Sequence, residues 1–409
     1  MHPWLPVEWI VALRFLREGR IQTMFIVGGV AIGVAVIVFM SALLAGLQGN
    51  LFQRVLSSQA HIVLEPPRQS ARPQLPAAPG QTVLRTIQTP AQRIGSIDQW
   101  QKVRDALGRR ADVETVSPVV TGSAFAARGD TSQAVTVLGI DPELYRRVVP
   151  LPDKLVAGAW RLSGSEVLVG SQLLDNLGVQ LGDKLRLTGA SGSALTLTIS
   201  GVYDLGARAV NERNVYVLLP TAQNLVNLPG GVSRLELTVA EPFAAEDIAQ
   251  SIGRQTGLQS LSWIASNNQF FLGLNAQRMS SNLIRLFVAL SVAAGIASVL
   301  VVSVVQRSRD IGILRAMGGS RGQLRRVFLI QGALVGLAGS LAGSALAALL
   351  VAGWRLVAKN PDGTPLFPIV IESELVLAAS LLATLTGLLA AVTPAARAAR
   401  LEPVEAIRG

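Results

Sequence analysis

Four long apolar runs constrain this sequence more than any other feature. They cover residues 24–45, 286–305, 327–353 and 375–392, and none of them contains Asp, Glu, Lys, Arg or His. The hydrocarbon core of a bilayer is about 30 Å thick and needs roughly 20 apolar residues in a helix that crosses it. Lipid offers the backbone no hydrogen-bond partners, so a segment that crosses must be helical. The sequence therefore predicts a membrane protein with four transmembrane α-helices.

Composition excludes several kinds of functional site. The chain has 409 residues, of which 50% are hydrophobic and 15% charged, with no Cys and only two His. The absence of Cys excludes disulfides, thiol nucleophiles and Cys-containing metal sites, and two His residues are too few for most His-based metal or acid–base centres. No Lys stands in a Gly-Lys-Ser or Gly-Lys-Thr sequence, so a Walker A loop is absent. We therefore expect a non-catalytic chain that binds no metal or cofactor of its own.

The arginines predict the orientation of the spans. The loop at 306–326 carries many arginines against a single acid, Asp310, whereas residues 359–374 hold Asp362, Glu372 and Glu374 and one Lys. More arginines precede the first span and follow the fourth. By the positive-inside rule, both termini and the first of these loops are cytoplasmic. The net charge of +10 is explained in this way, and we expect no nucleic-acid partner.

The stretch between the first two spans mixes short strand and helix patterns, such as the alternating residues 195–199. This mixture predicts a large α+β external domain rather than a doubly wound sheet. The N-terminal segment reads as an amphipathic helix at the interface or, alternatively, as an extension of the first span. The predicted order is an interfacial helix (1–23), span one (24–45), the external domain (46–285) with a helix at 267–285 leading into span two, span two (286–305), a cytoplasmic loop (306–326), span three (327–353), a short external loop (354–374), span four (375–396) and a cytoplasmic tail (397–409).

The loop at 306–326 has a pattern that a plain turn does not need. Arg309, Ile313 and Met317 fall at helical spacing, which predicts a short amphipathic helix. Gly318-Gly319 can end this helix, and Ser320 can cap the helix that follows. A short helix joined to two spans would give a peripheral motor protein something to hold. The alternative is a basic turn held at anionic lipid headgroups.

The loop closely resembles the coupling motif of the FtsX/MacB-type ABC permease superfamily, approximately (R/E)-R-x-x-(D/E)-I-G-I-L-R-A-(M/L)-G-(A/G)-S. Residues 394–408 resemble the ending P-A-x-x-A-A-x-x-x-P-(V/I)-E-A-(I/L)-R of that family, and residues 12–17 resemble a third, weaker motif. The resemblance assigns an ATPase-coupling helix to Arg309, Asp310, Ile311, Gly312, Ile313, Leu314, Arg315, Ala316, Met317, Gly318, Gly319 and Ser320. It assigns the C-terminal motif to Pro394, Arg397, Arg400, Pro403, Glu405 and Arg408.

The resemblance also implies partners and a fold. Such permeases form homo- or heterodimers in a bacterial inner membrane, with a large periplasmic domain. They work with two copies of a separate cytoplasmic ATPase, which binds the ATP and magnesium. The external domain is then expected to consist of a porter-like part (46–154 and 219–270) with a Sabre-like insert at about 155–218.

Within the superfamily the chain is most similar to the LolC/LolE branch, which releases lipoproteins from the inner membrane to a periplasmic chaperone. LolC-type subunits carry a Pro-containing hook for the chaperone, and the matching residues here, 188–194, form a short Gly/Ser turn. This departure leaves a LolE-like partner, a different arrangement within the family, or a chain that does not release lipoproteins. MacB- or DevC-like efflux with a periplasmic adaptor is the main alternative. An FtsX-like regulator of a cell-wall hydrolase is a further one, although true FtsX proteins have a much smaller external domain.

Glycines recur at four-residue spacing in the first and third runs, which permits close helix contact. Such contacts could lie within the chain or at a dimer seam, and membrane lipids are expected to surround the spans. The glycines concerned are Gly29, Gly33, Gly332, Gly336, Gly339 and Gly343.

Overall fold

The computed structural model describes residues 6–67, 95–359, 365 and 367–400. The chain divides into two compact units. The helical unit comprises Met1–Leu51 and Gly273–Gly409, and the sheet unit comprises Phe52–Leu272.

The helices, in chain order, are α1 Val7–Glu18, α2 Arg20–Ser58, α3 Trp100–Leu107, α4 Pro142–Tyr145, α5 Ser171–Leu177, α6 Arg208–Arg213, α7 Leu219–Leu225, α8 Ala245–Thr256, α9 Trp263–Ser266, α10 Asn268–Gln306, α11 Ser308–Ala316, α12 Arg321–Val357, α13 Ser373–Ala390 and α14 Val392–Arg400. The strands are β1 Ile62–Glu65, β2 Val113–Arg128, β3 Thr131–Ile140, β4 Leu155–Gly158, β5 Glu166–Gly170, β6 Lys184–Gly189, β7 Ala194–Tyr203, β8 Asn214–Leu218, β9 Arg234–Val239 and β10 Gln259–Ser262. Two short 3-10 helices lie at Leu151–Lys154 and Pro242–Ala244.

Four helical stretches are long and apolar enough to cross a membrane, and each contains one of the predicted runs. They are Arg20–Ser58, Asn268–Gln306, Arg321–Val357 and Ser373–Arg400. The last is interrupted by a turn at Ala391, inside the fourth span that the sequence predicts to end at 396. Pro394 explains the turn, because a proline ring clashes with the carbonyl four residues earlier, here that of Ala390, where α13 ends.

The segment expected to form a helix over 1–23 contains α1, which stops at Gly19 before α2 begins at Arg20. It is therefore a separate helix and not a continuation of the first span. Its buried side chains are Ala12 and Phe15.

Most of the spaced glycines pack within the chain. A methyl group added at Gly336 would lie 2.5 Å from the Ala383 carbonyl oxygen on α13, and one at Gly339 would lie 2.5 Å from Val30 on α2. Gly332 faces α13 in the same way, Gly343 faces α2, and Gly33 faces α10. Gly29 has no atom within 4 Å of the added methyl position. The glycines of α12 thus let two other helices approach its backbone closely.

The strands of the sheet unit form one ten-stranded sheet, in the order β10-β1-β9-β2-β3-β8-β5-β7-β4. β6 lies off this path and pairs with both β2 and β7, so β2, β3, β8, β5, β7 and β6 close into a ring. The first half of β2 pairs with β9 and the second half with β6. The predicted alternation in β7 is confirmed, since Leu197 and Ile199 are buried in the core of the sheet unit.

Residues 155–218 contribute the strands from β4 to β8, which lie together on one side of the sheet order. They join the rest through the parallel pair β3–β8 and the antiparallel pair β2–β6. The hydrogen-bonded sheet is therefore continuous across both ends of the predicted insert. Its division into porter-like and Sabre-like parts stays a prediction.

An aromatic cluster lies where the chain enters and leaves the sheet unit. The Phe52 ring is 5.4 Å from Phe243, 6.1 Å from Trp263 and 5.7 Å from Phe270, measured between centroids. The indole Nε1 of Trp263 donates to the Pro242 carbonyl at 2.6 Å. Close by, β1 and β10 pair in antiparallel register.

Candidate functional site

The candidate site is α11 with its two junctions, in the segment predicted to couple to an ATPase. α10 ends at Gln306, Arg307 interrupts the helix, and α11 runs over Ser308–Ala316. Gly318 then adopts a φ of +98°, which favours glycine. A methyl group at Gly319 would lie 2.8 Å from the Leu314 carbonyl oxygen. The predicted end of the helix at the two glycines is confirmed.

The start of α12 is fixed by a capping box. Ser320 Oγ accepts a hydrogen bond from the Gln323 backbone N–H at 3.2 Å, and Gln323 Oε1 accepts one from the Ser320 N–H at 2.8 Å. This pair satisfies two backbone donors that a helix start leaves free. The predicted cap at Ser320 is confirmed, and α11 is held at both ends by defined turns.

Burial separates the residues of α11 into two faces. Ile311 is fully buried, in a cluster with Phe15 of α1, Phe328 of α12 and Ala398 of α14. Ile313 is 46% exposed and Met317, just after the helix, is 80% exposed. Among the other predicted residues, Gly312 is buried and Leu314, Arg315 and Gly319 are half-buried, whereas the exposed ones are Arg309, Asp310, Ala316, Gly318 and Ser320.

The C-terminal motif lies partly in the same cluster. Pro394 is buried, as are Ala395 and Ala398, while Arg397 and Arg400 are exposed. The two motifs that resemble the family therefore contribute to the same buried cluster, one through Ile311 and the other through Ala395 and Ala398. Pro403, Glu405 and Arg408 lie outside the described residues.

Arg307 is a site residue that the sequence reasoning missed. Its Nη2 donates to the Phe15 carbonyl at 2.7 Å, and its guanidinium carbon lies 4.6 Å from the centre of the Phe15 ring. Its Nη1 lies 3.4 Å from Glu18 Oε2. A hydrogen bond from Arg14 holds the pKa of the Glu18 carboxyl below its ordinary value, which favours the ionised partner. The sequence did contain a signal for Arg307, since it is the Arg of the R-x-x-D part of the coupling motif, with Asp310 as the Asp.

The described residues show no metal-binding group. Across 6–67, 95–359, 365 and 367–400, no three His, Asp or Glu side chains converge in a way that could hold an ion.

Comparisons with known proteins bear directly on these motifs. The profile described as MacB-like periplasmic core domain matches residues 23–255, and the one described as FtsX-like permease C-terminal matches residues 282–403. The chain belongs to the FtsX/MacB-type ABC permease family. The coupling segment and the C-terminal motif as far as residue 403 lie in the FtsX-like part, and the sheet unit lies almost entirely in the MacB-like part. The protein is thus a membrane permease with a periplasmic domain.

Individual relatives cover nearly the whole permease. The lipoprotein-releasing system transmembrane protein LolC of Neisseria meningitidis is 24% identical over 98% of this chain and 99% of the relative. LolE of Haemophilus influenzae is 23% identical over 93% of this chain and 92% of the relative. The macrolide export ATP-binding/permease protein MacB of Shewanella oneidensis is 26% identical over 97% of this chain but 60% of the relative.

Among solved structures, the periplasmic region of MacB from Actinobacillus actinomycetemcomitans is 12% identical to this permease. That match covers 53% of this chain and 94% of that one, with a TM-score of 0.35. The extracellular domain of the transporter YknZ from Gram-positive bacteria matches 40% of this chain and 87% of that one, at 13% identity and a TM-score of 0.30.

Proposed function

We propose that this chain is the non-catalytic transmembrane subunit of an ABC transporter and that α11 is the helix held by a separate cytoplasmic ATPase. The main support is the two-sided character of α11. Ile311 anchors one face in the cluster with Phe15 and Phe328, and the other face exposes Ile313 and the adjoining Met317 beside arginines. An exposed apolar pair on and just after a short helix that is anchored by its opposite face suits a packed groove on a partner protein.

The orientation follows from the same region. Arg309, Arg321 and Arg325 are exposed around α11, and Arg397 and Arg400 are exposed on α14. Arginine-rich short loops stay on the cytoplasmic side of a bacterial inner membrane. We therefore place α11 and both termini in the cytoplasm and the sheet unit in the periplasm. Two copies of the ATPase bind the ATP and magnesium. This chain forms a dimer with a second permease, either another copy of itself or a different chain.

For the cargo, we propose lipoprotein release from the inner membrane. The support is the likeness to LolC and LolE along almost the full length of both chains. ATP-driven closure would pass through the spans to the periplasmic domain, which would hand the lipoprotein to a chaperone.

Export with a periplasmic adaptor is the second candidate, and a specific observation favours it. β6 and β7 are joined by a tight turn, in which the Gly189 N–H donates to the Ser193 carbonyl at 2.8 Å and Gly192 has a φ of +84°. Such a turn offers no inserted hook for a chaperone. In addition, the sequence identity of this chain to MacB, 26% over 97% of the chain, is similar to its identity to LolC, 24% over 98% of the chain.

The coupling assignment is tested with the double variant Ile313→Asp and Met317→Asp in the full-length protein. Two carboxylates buried in a dry groove would cost several kcal/mol, so we expect loss of co-purification with the ATPase and of stimulated ATP hydrolysis. Arg17→Asp places a carboxylate on the exposed face of α1 and serves as the control. Undiminished stimulation in the double variant would reject the assignment of α11.

The cargo is tested by depletion of the protein in its native cell. Lipoprotein release predicts that lipoproteins of the outer membrane accumulate in the inner membrane. Normal sorting, together with co-purification of an adaptor protein, would reject release in favour of export.

A further inference from the structure

Arg307 connects the break between α10 and α11 to the C-terminal end of α1. Its side chain is 13% exposed, and its Nη2 donates to the Phe15 carbonyl at 2.7 Å. That carbonyl belongs to the last turn of α1 and also accepts a long hydrogen bond from the Gly19 N–H, at 3.4 Å, so Arg307 supplies it with a second and shorter one. A cation is favoured at this end by the helix dipole. Arg307 therefore helps to cap α1 although it lies 292 residues from Phe15 in the sequence.

Other contacts make this junction specific for the guanidinium. The Phe15 face lies against the guanidinium carbon at 4.6 Å, and Glu18 Oε2 lies 3.4 Å from Nη1. A methyl group added at Gly19 would come within 3.2 Å of Nη2, so a side chain there would crowd the contact. Hydrogen bond, ion pair and ring contact thus converge on one side chain.

The junction continues into the first span. α2 starts at Arg20, one residue after Gly19, and Gln22 Nε2 donates to Gln306 Oε1 at 2.9 Å. On its other side α1 is packed against α12, with the Phe15 and Phe328 rings 6.3 Å apart. α11 is joined through the chain itself to α10 and α12. α2 has no such direct link to α11 and is connected to it by packing against α12, by the Gln22–Gln306 hydrogen bond and by the contact of α1 with Arg307.

We infer that Arg307 is a positioning residue that makes α1 and the start of the first span move together with α11. The inference rests on the proposed function, in which an ATPase displaces α11. Without Arg307, displacement of α11 would still reach α10 and α12 through the chain itself. Its effect on α1 and on the start of α2 would be smaller, because packing against α12 and the Gln22–Gln306 hydrogen bond remain but the charged, hydrogen-bonded contact at the end of α1 is lost.

The test uses the natural absence of cysteine in this sequence. A single Leu13→Cys substitution on the exposed face of α1 carries a spin label in the full-length protein, reconstituted in nanodiscs with the co-purifying ATPase. The label is compared before and after addition of ATP and vanadate. We expect a nucleotide-dependent spectral change when Leu13→Cys is the only substitution, and a clear reduction of that change when Arg307→Gln is added.

Two further variants separate positioning from general damage. Arg17→Gln removes a charge from the same helix end without touching the junction, and should keep the nucleotide-dependent change. Arg307→Lys keeps one donor and the ion pair with Glu18, and should restore part of the change lost in Arg307→Gln. An unaltered change in Arg307→Gln would overturn the inference.

Binding of the ATPase is scored separately by co-purification. A natural chain that binds no ATPase contradicts the proposed function itself. One that binds ATPase but shows no nucleotide-dependent change at the label contradicts only the inference about Arg307.

Discussion

A methyl group added to Gly343 on α12 would lie 2.6 Å from the carbonyl oxygen of Ala31 on α2. The two helices are therefore close enough at this point to exclude a side chain. Gly343→Ala should destabilise the helical unit by about 1–3 kcal/mol through overpacking. Gly353 on the same helix has open space at the corresponding position, so Gly353→Ala is the matched control and shares the gain in helix propensity.

Unfolding of the full chain in detergent micelles, followed by circular dichroism, measures the difference between the two variants. Equal stability of Gly343→Ala and Gly353→Ala would show that α2 and α12 are not in backbone contact.

Two of the tryptophans in the sheet unit, Trp160 and Trp263, should respond differently to the same substitution. Trp263 is almost fully buried and donates to the Pro242 carbonyl at 2.6 Å. The Nε1 of Trp160 is buried with no hydrogen-bond partner among the described residues. Trp263→Phe should cost about 0.5–1.5 kcal/mol for the lost hydrogen bond, plus a cavity term; the Pro242 carbonyl keeps its hydrogen bond from the Ala245 N–H. Trp160→Phe removes no hydrogen bond and should cost clearly less. Urea unfolding of the full chain measures the loss of stability in each variant. A larger loss in Trp160→Phe than in Trp263→Phe would contradict the prediction.

His61 should make the sheet unit less stable as the pH falls. Burial lowers the pKa of His61 from its ordinary value of 6.5, against the opposing influence of Glu114. Its Nδ1 accepts a hydrogen bond from the Val239 N–H at 3.1 Å, which a proton on Nδ1 would prevent. The unfolded chain binds the proton first, so this contribution to stability is present above pH 6.5 and is lost as the pH falls below it.

The measurement is the melting temperature of the full chain between about pH 5 and 7, a range in which carboxyl groups with ordinary pKa values stay ionised. His61→Asn should flatten the pH dependence, since the amide oxygen can accept the same hydrogen bond and does not titrate. The only other histidine is His2, outside the described residues, and His2→Asn should leave the slope unchanged. A slope that His61→Asn does not reduce would refute the assignment.

The features that the sequence predicted well are local. The four apolar runs, the end of α11 at Gly318-Gly319 and the cap at Ser320 depend on neighbouring residues and on the solvent around them. The capping box needs only Ser320 and Gln323, three residues apart. Such features can be found in a single sequence.

The features that it missed depend on residues far apart in the chain. The contact of Arg307 with Phe15 exists only once α1 folds against the end of α10. The ring closed by β2 and β6 likewise depends on pairing between distant strands. The glycine spacing was ambiguous for a different reason, since Gly336 or Gly343 could face a helix of the same chain or of a second copy.

The central claim is that α11 lies on the cytoplasmic side and is covered there by an ATPase. Met317 is 80% exposed, so Met317→Cys in this naturally cysteine-free chain gives one reactive thiol at the proposed contact. A membrane-impermeant maleimide should fail to label it in intact spheroplasts, label it after the inner membrane is opened, and label it less when the ATPase is bound. Labelling in intact spheroplasts would place α11 in the periplasm and contradict the account.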